Sequence, residues 1–102
     1  MTATLPEFAA FRDHALAHGY DEVAERTWPP GAVAATHTHP FGVHALVVRG
    51  ELWLTVGGET RHLLPGDTFD LRHDLPHAER YGPEGATYWV ARRQFPRPDS
   101  ED

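Results

Sequence analysis

The sequence predicts an all-β domain, an antiparallel sandwich or barrel, with one short α-helix at its N-terminus. Two observations carry this. From Glu22 onward the apolar residues alternate with a period of two, as in strands that rest one face on a core. About eight such segments fall within about 70 residues, separated by Gly, Pro and Asp turn signals. Before residue 20 the apolar residues recur at helical spacing instead. A chain of 102 residues supports one core rather than two. The expected organisation is therefore a helix over 1–20 packed on a barrel over 21–93. A polar, proline-broken tail over 94–102 is expected to be flexible.

Thr4-Leu5-Pro6-Glu7 fits a capping box, with Thr4 as N-cap and Glu7 reaching back to its amide. Pro6 then falls in the first turn, where its missing N–H is harmless. Leu5, Phe8, Ala9, Phe11, Ala15 and Leu16 form the apolar stripe, and Gly19 ends it. His14 and His18, one helical turn apart, read as solvated polar positions. Glu22–Trp28 is the first strand, closed by Pro29-Pro30-Gly31, a turn no helix could cross. Further strands are expected around 33–37, 43–49, 51–56, 59–64, 67–71, 77–81 and 86–92, and Gly57-Gly58 marks a tight hairpin. Leu52, Leu54 and Val56 alternate toward the core. Trp53 therefore faces the other way, either as a contact in a homodimer or as a surface beneath the helix.

Composition removes several classes of chemistry. Without cysteine there is no disulfide, thiolate ligand or thiol nucleophile, so a metal would be held by nitrogen and oxygen. The net charge of -6, with no clustered basic stripe, argues against nucleic acid as a partner. All basic charge is arginine, which excludes Schiff-base chemistry on a lysine. No run approaches the ~18 apolar residues of a membrane helix. The first residues have neither the basic start nor the apolar stretch of a secretory leader, so the expected location is the cytoplasm, away from any membrane.

The chemistry-bearing residues are histidines. His37 and His39 are two apart in an expected strand, so both imidazoles share one face and form half of a first-row metal site. His77 follows a second glycine-led strand pattern. Gly31, five residues, His37, one residue, His39 and later Gly50 together resemble the first motif of the cupin superfamily. Gly66, five residues, Arg72, then Asp74, two residues and His77 resemble the second. The short gap from Gly50 to Gly66 is similar to that of small single-domain bacterial cupins, and the resemblance spans roughly residues 25–92.

That resemblance implies a single jelly-roll barrel holding one divalent transition metal (Fe, Ni, Mn or Zn) on His37, His39 and His77, with a small-molecule ligand inside. It also implies the common pairing of small cupins as homodimers. The function it implies is a metal-binding cupin, as an enzyme of dioxygenase-like or isomerase-like type acting on a small polar or anionic molecule. The alternatives are a non-catalytic ligand-sensing module and a metal-free barrel.

The departures from the family pattern shape the chemistry. The usual glutamate ligand follows the second histidine by three or four residues, and this chain has Val43 and His44 there. Either Val43 fills the slot and His44 faces away, or a bulge near Pro40-Phe-Gly42 turns His44 inward as a fourth ligand. An all-histidine shell leaves the ion's charge uncompensated and favours an anionic or chelating guest. Glu79, two residues beyond His77 and on the same strand face, is the candidate general base; its alternative is a rim carboxylate in solvent or paired with Arg80 or Arg92. Tyr81 shares that parity, either as a pocket hydroxyl or as a core aromatic. Arg72 and Asp74 replace a usual proline and glycine, and Asp tolerates left-handed turn geometry well. His62 and His73 read as surface residues.

Overall fold

The computed structural model describes residues 5–94. One helix and six strands follow in chain order: α1 (Phe8–Ala17), β1 (Glu22–Trp28), β2 (Val33–His37), β3 (Phe41–Val56), β4 (Glu59–Leu63), β5 (Thr68–Leu71) and β6 (His77–Gln94). Six strands replace the eight expected segments because two of the turn signals are bends rather than breaks. Segments 43–49 and 51–56 run together through Gly50, and 77–81 and 86–92 run together through Gly82–Gly85. β3 and β6 pair antiparallel from Phe41↔Gln94 to Val56↔His77, with register shifts on either side of the Gly50 bend.

The long pair is flanked differently at its two ends. One half has the order β1-β6-β3-β5 and the other β2-β6-β3-β4. The eight segments therefore survive as two four-stranded halves sharing two bent strands, the jelly-roll barrel. Where the strands bend, Gly50 and Gly85 both take positive φ, and a Cβ on Gly50 would run into the Gly85 carbonyl. The β3–β4 turn closes on Val56↔Glu59, and only the first of its two glycines, Gly57, has positive φ.

Both halves pack on one core. Val43, Ala45 and Val47 from one half meet Leu52, Leu54 and Leu63 from the other. The helix lies outside this core: Phe11 and Ala15 pack on Leu46, Trp89 and Ala91. It thus covers Trp89, not Trp53. Trp53 sits half-buried on the outer face of the other half, between the Arg80 guanidinium and the stacked His62 ring.

Two local expectations are corrected. Glu7 occupies the N-cap position itself, extended at ψ 154 and without a side-chain cap, so Pro6 precedes the helix; Thr4 lies outside the described residues. Gln94 belongs to β6 rather than to a tail, and its N–H donates to the Asp21 carboxylate (2.6 Å). The rest of the expected tail lies outside the described residues. No helix among the described residues is long and apolar enough to cross a membrane.

Candidate metal centre

His37 is the last residue of β2 and pairs with His77, the first of β6, so sheet register alone brings two of the three histidines together. His39 lies in the following loop. Its carbonyl accepts the Asp74 N–H (2.6 Å), and Asp74 is the one non-glycine at positive φ among the described residues. The tolerance of Asp for left-handed geometry is thus used to fold the loop before β6 onto the His39 backbone.

The three rings are 4.3 to 5.1 Å apart by their centroids, and one ligating atom from each lies within 4.8 Å of the others. Two rings have their tautomer fixed. His37 Nδ1 lies 2.6 Å from the Ala35 carbonyl and His77 Nδ1 2.8 Å from the Leu75 carbonyl. A carbonyl only accepts, so each Nδ1 carries the proton and each Nε2 presents a lone pair. His77 is 2% exposed, and its buried Nε2 has no hydrogen bond with any described residue. Facing it at 3.3 Å is Glu79 Oε2, another lone-pair atom. An imidazole lone pair held beside a buried carboxylate favours a cation at the triad. The His39 pKa is lowered by burial first, and then by His77, His37 and two arginines, which keeps that imidazole in its ligating form at neutral pH. The donor set fits a divalent transition ion.

Glu79 is not a rim carboxylate. It is 7% exposed, its Oε2 lies 3.9 Å from His37 Nε2, and its Oε1 accepts the Tyr81 hydroxyl (2.9 Å). Arg80 points outward onto Trp53, and Arg92 pairs with Glu22. Tyr81 is buried in the core, stacked on Trp28, and stands behind Glu79 rather than on the cavity wall. Burial, then Tyr88 and Glu79, raise its pKa far above the usual phenol range. Tyr81 is therefore a fixed donor.

His44 does not join the triad. The β3–β6 register runs without a bulge from Phe41↔Gln94 to Val47↔Tyr88, so the parity of Val43 and His44 is fixed. Val43 is buried and lines the cavity. His44 faces outward, stacked on Phe11 of the helix, and its Nδ1–H donates to Asp70 (2.8 Å). His62 is an exposed residue bonded to Glu51, and His73 is half-buried beside Asp74.

The triad and Glu79 open into a cavity of about 170 Å³ with apolar walls that include Val43, Phe69 and Leu71. Two further residues line it that the motif reading passes over: Arg26 on β1 and Arg92 on β6. Their signal was parity. Arg26 shares the parity of the inward Ala24 and Trp28, and Arg92 that of Tyr88 and Val90.

A family model for the cupin domain, Cupin_2, matches residues 24–90. The chain is a cupin. None of the curated proteins matches this cupin. Among solved structures it is similar to the DMSP lyase DddQ from Ruegeria pomeroyi, at 24% identity and TM-score 0.66, covering 78% of this chain and 44% of that one. It is also similar to the Cupin_2 domain of an XRE family transcriptional regulator from Enterobacter cloacae, at 26% identity and TM-score 0.62, covering 74% and 81%. A single-residue variant of oxalate decarboxylase from Bacillus subtilis matches at 22% identity and TM-score 0.64, covering 71% and 20%. This cupin spans less than half the length of the lyase and a fifth of the decarboxylase, and those two likenesses concern the fold alone.

Proposed function

We propose that this cupin binds one divalent transition metal through His37, His39 and His77, and is an enzyme acting on a small polar or anionic molecule by proton transfer. The observation that supports it most is the convergence of three imidazoles, two with their tautomer fixed by backbone carbonyls, beside a buried Nε2 that has no hydrogen bond with any described residue. When bound, such an ion supplies Lewis acidity toward a ligand oxygen. Glu79 is the proton acceptor. Its Oε1 is tied to Tyr81, while its Oε2 faces the triad and can take a proton from a ligand in the cavity. Tyr81 is a positioning residue that holds this carboxylate in place. Val43 in the glutamate slot adds a dry wall in place of a fourth ligand.

Elemental analysis of untagged protein purified at pH 8 tests the metal, and a bound transition ion is the expected result. If none is found and added iron, nickel and zinc all fail to bind, the metal-free barrel replaces this reading. A second reading, a ligand-sensing module without catalysis, has its own support in the likeness to the regulator's cupin domain, of which this chain covers 81%. Metal-loaded protein offered a panel of diketones, thiols and hydroxy acids separates the two. Product formation supports the enzyme, whereas a thermal shift with no turnover of any member supports the sensor.

A further inference from the structure

We infer that Arg26 and Arg92 make this cavity a receptor for a small carboxylate, which they grip at one end while its other end faces the histidine triad. The inference deepens the proposed function and rests on the same cavity. Arg26 and Arg92 sit on paired strands at inward parity, Arg26 opposite Tyr88 and Arg92 opposite Glu22. Both line the cavity, and both bear electrostatically on His39.

Their donors are largely unspent. Arg26 lies 5.7 Å from the Trp28 ring centroid and has neither hydrogen bond nor ion pair with any described residue. Arg92 lies over the Phe41 ring at 4.8 Å and gives Nη1 to the exposed Glu22, but its Nε is buried with no partner among the described residues. A buried guanidinium N–H calls for an acceptor oxygen. Guanidinium forks match the planar pair of carboxylate oxygens, which accept and cannot donate. The wall carries two guanidinium groups against the single carboxyl group of Glu79, which already accepts from Tyr81. The wall thus favours an anion before any ion is counted. Size narrows the class: about 170 Å³ is close to the ~150 Å³ cavity that takes a benzene-sized guest.

The test is calorimetric titration of the full chain, zinc-loaded and metal-free, with malonate, its neutral isostere malonamide, and inorganic phosphate. Malonate is expected to bind at least about tenfold more tightly than either of the others. Arg26→Gln and Arg92→Gln are each expected to lose about tenfold in malonate affinity while malonamide binding and zinc stoichiometry stay unchanged. Arg26 is exposed and makes no hydrogen bond or ion pair with any described residue, so its replacement tests the idea with little cost to the fold. Glu22→Gln breaks the same ion pair as Arg92→Gln but spares the cavity donors, and should leave malonate binding intact. Equal binding of malonate and malonamide, phosphate binding as tightly as malonate, insensitivity to both arginine changes, or an equal loss in Glu22→Gln would each overturn the inference. A chain that prefers malonate but never loads zinc would sink the metal reading alone. One that loads zinc without preferring malonate would sink this inference alone.

Discussion

Each of two triad imidazoles in this cupin is governed by its far nitrogen, which a backbone carbonyl holds protonated: Ala35 for His37 and Leu75 for His77. Removing a ring should therefore matter far more than removing a histidine of equal sequence prominence elsewhere. His77→Ala is expected to weaken zinc binding by at least the ~10–100-fold typical of losing a supporting partner. His44→Ala should leave zinc affinity unchanged and cost no more than about 1 kcal/mol, since it loses one ring stack and one exposed hydrogen bond. Competition titration against a chelator reads both; equal loss in the two variants would refute the ligand assignment. The lowered pKa of His39 sets a pH dependence. As pH falls below about 6.5, the unfolded chain takes up this proton before the folded chain does, so stability drops until the folded value is passed and is flat above that window. The thermal midpoint of metal-free protein should fall between pH 8 and 5, and His39→Asn should flatten part of that slope. An identical slope in the variant would remove His39 as a source of it.

At the scale of elements, β3 and β6 explain why local signals located the strands but miscounted them. Gly50 and the Gly82–Gly85 stretch carry every mark of a chain break, yet each strand continues to pair with the other across its bend. Pairing is a long-range property, which local composition does not encode. The two positive-φ glycines of β3 and its hairpin should then differ. Gly57→Ala meets open space and should cost about 1 kcal/mol of strain, while Gly50→Ala adds a collision with the Gly85 backbone and should cost more than about 2 kcal/mol. Urea denaturation compares them, and equal losses would show that the bend tolerates a side chain. The helix starts later than its T-x-x-E pattern predicts for a related reason. Pro6 disfavours helical geometry in the residue before it, and the first turn is set by Phe8 and Phe11 packing on Trp89, not by the T-x-x-E pattern.

For the whole molecule, the proposed metal joins two barrel regions that are far apart in sequence, the end of β2 with its loop and the start of β6. An ion bound only by the folded state would add about 2.7 kcal/mol at a hundredfold excess over its dissociation constant. In a domain of this size that raises the thermal midpoint by roughly 10–20 °C. Scanning calorimetry with and without zinc, reversed by chelator, measures it. A midpoint unmoved at saturating zinc would mean that the site does not couple to the fold.

Strand periodicity is local, and everything that depends on it alone was legible: the all-β class, the shared face of His37 and His39, and the parity of Glu79 and Tyr81 with His77. The motif spacing added the third histidine. Parity does not say which face is interior or which strands oppose, because that is decided by register between segments tens of residues apart. Only the tertiary structure therefore put Val43 inside and His44 under the helix. It also turned Arg80 outward, left Glu79 buried beside Tyr81, and brought Arg26 and Arg92 to the cavity that the histidines share.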